Sequence, residues 1–377
     1  MTPEDRAWEV VRRAYEERTP VHRPLAGVRR VAIAAAVIAV AAAAVLTPPG
    51  HAVFEHVRDA LSSPRQTFAP LSLPTSGRLL VQSSERGGTW IVSADGKKRR
   101  IGAWDDAHWS PHGLYVVATA PNRLVALDPQ GHIRWSLTRP EVSWPAWEGT
   151  RVDTRIAYFS AGTLRVVAGD GTGDHLLDRY PVQSPALAWD PRRLHTLAYA
   201  AGDELELRAV DSGELIWQHK ISVIPSGLLW SEDGKRLALV SFHSVLVLDR
   251  NGRLVGRFTS RVDGVLEAAF RPGTHELAVS LRRDLPSRRS KVVLTNADAP
   301  AATRLLFAGP GAFGDIAWSP DGRWLLIDWP AANEWLFVHT TPHLRVLAAG
   351  PIRQEFPRPD GLGPLLQLAG GWCCAGS

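Results

Sequence analysis

The sequence predicts an all-β protein, a seven-bladed β-propeller of four-stranded antiparallel blades, and two observations carry that expectation. The first is a recurring anchor, an aromatic residue followed by a tight turn. It reads Trp109-Ser110-Pro111-His112-Gly113, Trp189-Asp190-Pro191, Trp230-Ser231-Glu232-Asp233-Gly234, Phe270-Arg271-Pro272-Gly273 and Trp318-Ser319-Pro320-Asp321-Gly322, with Trp147-Glu148-Gly149 a weaker copy. The second is the spacing: successive anchors lie 38, 42, 41, 40 and 48 residues apart, and Phe68 stands 41 before the first. A period near forty with short apolar runs between turns fits four strands per repeat.

The clearest unit runs from Asp315 to Val346. A strand ends in Trp318, the Pro-Asp-Gly turn reverses the chain, and further runs follow at Trp324 to Ile327, Trp335 to Val338 and Leu344 to Leu347. Asp-Gly suits such a turn because one position needs positive φ and the Asp side chain bonds its own backbone. Asp95, Asp233 and Asp321 are therefore read as turn residues. The long interval from 270 to 318 is assigned to an extra loop, Arg282 to Ser290. In the first blade the strands are Leu79 to Gln82, Thr89 to Val92 and Arg99 to Ile101. Its innermost strand comes either from Phe68 or from the C-terminal Phe356-Pro357-Arg358-Pro359-Asp360-Gly361, and the second choice closes the ring without an unpaired edge.

Ahead of the propeller, residues 1–30 read as a cytoplasmic amphipathic helix. Thr2 caps it, Pro3 suits its first position, and Trp8, Val11 and Tyr15 share a face. Residues 31–47 carry an uninterrupted apolar run after Arg23, Arg29 and Arg30. Sixteen helical residues rise roughly 24 Å, enough for a single span if the flanking Arg snorkel or the bilayer thins. The basic N-terminal flank places that end in the cytoplasm and the propeller outside. Cleavage as a signal peptide is the rival outcome, and the long leader favours an uncleaved anchor. Residues 48–67 are a juxtamembrane helix and linker, and 68–377 the propeller.

Composition narrows function mainly by exclusion. Of 377 residues, 15 are Trp, which one anchor per blade plus extras explains, and the net charge of +5 comes from Arg with only five Lys. No contiguous basic stripe with interleaved aromatics argues for nucleic acid. Two Cys, adjacent at 373 and 374, exclude a disulfide-stabilised scaffold and CxxC metal sites. No Gly-x-Ser-x-Gly, Walker loop, Gly-x-Gly-x-x-Gly or His-Glu-x-x-His motif appears. His108 and His112 flank a turn, a poor arrangement for metal ligands. The densest positive patch is Arg282, Arg283, Arg288, Arg289 and Lys291, with Lys97, Lys98, Arg99 and Arg100 a second; both are read as solvated and exposed, with receipt of an anionic polymer or an acidic partner the alternative.

The Trp-Ser-Pro-Asp-Gly turns resemble those of TolB-like and WD-repeat β-propellers across about Phe68 to Gly350. Units such as Leu127-Asp128-Pro129-Gln130-Gly131-His132-Ile133-Arg134-Trp135 and Val210-Asp211-Ser212-Gly213-Glu214-Leu215-Ile216-Trp217 are similar to quinoprotein propeller repeats. Both resemblances imply the same architecture. The layout of cytoplasmic helix, span and exported domain also resembles transmembrane anti-sigma regulators, which implies Trp8, Val11 and Tyr15 as a contact face.

The expectation is a single-pass, membrane-anchored extracytoplasmic propeller. It would bind a protein or envelope ligand through its face or its N-terminal helix, without a cofactor, a catalytic group or a metal. The alternatives are a quinoprotein-like oxidoreductase, for which the Cys373–Cys374 pair is the link, and a periplasmic transport accessory protein.

Overall fold

A computed structural model describes residues 71–83, 88–148, 152–179, 181, 186–283, 288–340, 343–356, 366–367 and 371–374. The expected N-terminal helix with Trp8, Val11 and Tyr15, the span, the linker and Phe68 lie outside the described residues. Among the described residues no helix is long and apolar enough to cross a membrane.

Seven antiparallel sheets follow one another along the chain. Blade 4 is representative: its strands Leu187–Trp189, Thr196–Ala201, Glu204–Ala209 and Glu214–Lys220 pair in sequence order from the inside outward. The inner strands of neighbouring blades meet around the axis. Side chains of each second and third strand pack into the next sheet, so the core is a ring of apolar clusters between blades. Burial on both faces explains runs such as Leu237 to Val240 and Leu325 to Ile327, which read as continuous apolar stretches.

The anchor turns owe their form to hydrogen bonds. Ser110, Ser231 and Ser319 each accept, at the side-chain oxygen, the N–H that opens the next strand, from Tyr115, Arg236 and Trp324 at 2.9–3.0 Å. The Ser231 and Ser319 hydroxyls donate onward to Asp233 and Asp321. Gly113, Gly234 and Gly322 then take φ of +62°, +67° and +65°, which a Cβ would strain. In blade 3, Glu148 accepts Arg155 N–H in place of the serine, and its other oxygen accepts His195 N–H of blade 4 at 2.6 Å.

The anchor indoles fasten blades to one another. Trp189, Trp230 and Trp318 donate Nε1–H to the carbonyls of Ala146, Ala188 and Ala269 in the preceding blade, at 2.9, 3.3 and 3.1 Å. Phe270 cannot make this bond. Trp147 donates within its own blade to Thr154, and Trp109 lies under the Arg78 guanidinium. Outer-strand Trp135 and Trp217 repeat the device at the rim, reaching Gly169 and Arg250 of the next blade. Trp189→Phe is expected to lower stability by about 1–2 kcal/mol, mostly the lost hydrogen bond, as a shift in the urea midpoint at unchanged slope.

Two expectations are corrected. The 270 to 318 interval is not made by a loop from Arg282 to Ser290. Arg282 pairs with Ser290 and Arg283 with Arg289, so these residues lengthen a hairpin, and the outer strand Ala299–Pro310 has 12 residues. The run of charged residues hid the strand, because Arg282, Arg283 and Arg289 continue the ladder without the apolar alternation by which a strand is read. The ring does close through the C-terminal segment, but not through Phe356. The residues that pair with strand Arg78–Ser83 are Leu366–Gln367 and Trp372–Cys373. Phe356 instead follows the single helical turn Ile352–Glu355 and is fully buried between Trp90 and Trp335 of blades 1 and 7. An aromatic residue followed by Pro and Asp-Gly mimics the anchor, although its job is to fill the seam.

Candidate functional site

Each blade sends the turn after its inner strand to one end of the molecule, here the turn end. Links between blades and the turns between second and third strands emerge at the other, the crossover end. At the turn end neighbouring turns are joined in a belt. Arg78 donates to Gly113 O at 2.7 Å, Tyr115 stacks on Trp147, and His195 N–H meets Glu148. Arg192 reaches Glu232 O, Gly273 N–H donates to the Glu232 carboxylate, Arg271 reaches Gly322 O, and Thr75 of the entry segment reaches Asp321. His195 and Arg155 also share Asp211, with His195 Nδ1 at 2.5 Å and Arg155 Nε at 2.9 Å.

Inside this ring lies a cavity of about 560 Å³. Its wall includes four successive anchors, Trp109, Trp147, Trp189 and Trp230, with Leu187, Leu228, Leu229 and Leu266. His108, Glu232 and Glu267 are its ionisable groups. The sequence pattern identified the tryptophans as packing residues, and their second service as cavity wall follows from their place at the ends of the inner strands. Trp109 and Trp189 are buried, and Trp147 and Trp230 are half-buried. Trp318 is buried and Phe270 half-buried, and neither lines the cavity.

Glu267 was not singled out in the sequence, where it is one acidic residue in an otherwise apolar strand. Its Oε2 accepts Ile316 N–H of blade 7 at 2.7 Å. Burial first, and then Asp315, push its carboxyl well above the usual range, against the pull of that bond. A buried acid, Asp328, stands at the same junction. Its backbone bonds to Gly314 and Asp315, and Oδ2 packs against Gly314 without a hydrogen-bond partner. Burial and then Asp315 push it up to about 8, opposed by the nearby Trp335 indole and by Arg353. The indole approaches without completing a hydrogen bond, since Trp335 Nε1 is itself unpartnered.

The basic patch is more structured than a solvated loop. Arg282, Arg283 and Arg289 lie half-buried in paired strands, and Arg288 is exposed at the hairpin. Asp263 takes Arg283 Nε at 2.9 Å and Lys291 Nζ at 2.7 Å on its two oxygens. The two cations hold the Asp263 carboxyl below the usual range against the opposing effect of burial, which is the largest single influence.

Cys373 and Cys374 form a vicinal disulfide. Its sulfurs pack on Gly113, beside Arg78, and are not part of the cavity wall. Among the described residues no group of three or more His, Cys, Asp or Glu side chains is placed to hold a metal ion.

No family model matches the sequence. No curated protein matches it. Similar solved structures are a candidate 6-phosphogluconolactonase from Bacteroides fragilis, a structure of the mitotic checkpoint complex, and hydrazine synthase of Kuenenia stuttgartiensis. The first has 14% identity and a TM-score of 0.52, covering 74% of this chain and 96% of that one. The second has 14% and 0.52, covering 76% and 93%. The third has 15% and 0.50, covering 62% and 75%. At such identities the likeness shows the fold alone. The class it defines is the seven-bladed β-propeller, with WD-repeat propellers among its structural neighbours. Enzymes and non-enzymes both share it.

Proposed function

We propose that this chain is a binding module held outside a membrane by residues 31–47, and that its central cavity receives an apolar or aromatic group of a ligand. The observation that carries the reading is the cavity wall. Four indoles and several leucines line about 560 Å³ of open channel, within the range of small-molecule pockets, and apolar wall exceeds the polar wall that His108, Ser226, Glu232 and Glu267 supply. An uncharged aromatic dye, N-phenyl-1-naphthylamine, tests it through energy transfer from the lining tryptophans. Binding is expected, with a loss of about tenfold or more in Leu229→Trp or Leu266→Trp, which fill the space. Equal binding by folded variants would sink the cavity reading.

The placement rests on the apolar run and its basic flank. In intact cells or spheroplasts, external protease is expected to digest the propeller while the recovered N-terminus stays uncleaved. A protected propeller overturns the outward orientation, and a chain beginning after about residue 50 means release by cleavage.

A second reading, a quinoprotein-like oxidoreductase, draws on the vicinal disulfide. Its packing on Gly113 instead of the cavity wall does not fit a cofactor stacked on the sulfurs. Calorimetry with a quinone cofactor and Ca²⁺ decides between the readings: heat of binding favours the oxidoreductase, and none favours the binding module.

A further inference from the structure

The crossover end carries a surface that neither the cavity nor the anchor pattern explains. Ile224, Phe242 and Val262 are 76%, 56% and 65% exposed. They sit on three adjacent links: residues 221–226 between blades 4 and 5, the two-residue turn 242–243 of blade 5, and residues 260–263 between blades 5 and 6. None of the three lines the cavity.

Phe242 is held in place. Phe242 O accepts Val265 N–H at 2.7 Å, and His243 O accepts Ser260 N–H at 3.0 Å. The Phe242 ring lies edge-on to His243, 4.6 Å between centroids, and against Gly264, where a Cβ would come to 3.0 Å from it. An exposed aromatic ring with a fixed backbone and a glycine cleared beside it loses little conformational freedom on being covered.

Charge continues directly from this patch. Asp263, next to Val262, shares its one carboxylate between Arg283 and Lys291. Arg261 is exposed on the link 260–263, and Arg288 is exposed at the blade 6 hairpin whose strands carry Arg283 and Lys291. Arg283 stands opposite Arg289 across the hairpin, which keeps the cationic side chains of the two strands together. The turn end offers a comparison: Leu114, Val152 and Leu194 are exposed there too. Around those three, however, Arg155 and His195 are matched by Asp153 and Asp211.

We propose that Ile224, Phe242 and Val262, rimmed by Arg261, Arg283, Arg288 and Lys291, form a docking face for an acidic amphipathic segment of a partner protein. Apolar side chains of that segment cover the three residues and its carboxylates meet the rim. A nucleic acid is disfavoured because only one of the three apolar residues offers a ring for stacking. A membrane surface is disfavoured because the turn carrying Phe242 has only two residues and does not project as a wedge.

Peptide display on the full chain tests the idea. Selection is expected to enrich sequences in which Asp or Glu interleaves with Leu, Ile or Phe. The binding of a selected peptide should fall about tenfold or more in Phe242→Ser/Val262→Ser, and comparably in Arg261→Glu/Arg288→Glu. It should also weaken as salt rises, since the rim is exposed. Unchanged circular dichroism and urea midpoint establish that the variants fold. Enrichment of neutral or basic sequences, no enrichment, or affinity indifferent to both double variants overturns the proposal. So does binding of phosphatidylglycerol vesicles or a single-stranded oligonucleotide that the same variants abolish while the peptides are unaffected.

Discussion

Deleting residues 366–377 is expected to be the most damaging single change to this propeller. The strand Arg78–Ser83 then loses both inner partners, and blade 1 is left with three strands and an open edge. The cluster at the seam loses Trp372, which is buried against Phe337 with centroids 5.7 Å apart. Trp372→Ala alone is expected to cost about 3–5 kcal/mol by the usual penalty for emptying a buried aromatic site. The deletion should cost more and expose an edge able to pair with other copies. Urea denaturation measures the first, and light scattering during size-exclusion chromatography the second. A deletion that remains monomeric with an unchanged midpoint would show that the ring holds without its closing strands.

Asp328→Asn should change how the stability of the blade 6–7 junction depends on pH. In the folded protein burial and Asp315 raise this carboxyl to about 8, whereas the unfolded chain titrates near 4. Between those values the folded state holds a proton that the unfolded state has lost, so stability falls as pH rises from about 4 to about 8. A separation of four pH units corresponds to on the order of 5 kcal/mol at most. Glu267 adds to the same trend, because its carboxyl is also raised. The variant should be less pH-sensitive than the parent and gain relative stability at pH 8. Parallel slopes in urea melts at pH 5, 6.5 and 8 would show that Asp328 is ionised in the folded state.

The architecture was legible because the anchor turn has a chemical reason to repeat. Ser319, Asp321 and Gly322 each serve one backbone group, so replacing any of them is penalised locally, and the pattern survives in sequence. Ring closure was legible only in principle. Trp372 follows two glycines without the Pro-Asp-Gly signature, and the short pairings at 366–367 and 372–373 carry too little periodicity to be read. Phe356 carried the signature and plays another part. The candidate sites were mostly illegible. Phe242, Ile224 and Val262 are ordinary apolar residues in the sequence, and only the meeting of three links makes them a patch. Glu267 and Asp328 lie about sixty residues apart, and their shared neighbour Asp315 becomes visible only once blades 6 and 7 are packed.

The belt of contacts around the turn end divides the molecule's tolerance of mutation. Arg78, Glu148, Glu232, Arg271 and Asp321 each bind a neighbouring turn, so drift at any of them loosens a joint between blades. The side chains of Ile224, Phe242 and Val262 take part in none of these joints. Descendants of this chain can therefore exchange one recognition surface for another at the crossover end while inheriting the hoop that keeps the ring together.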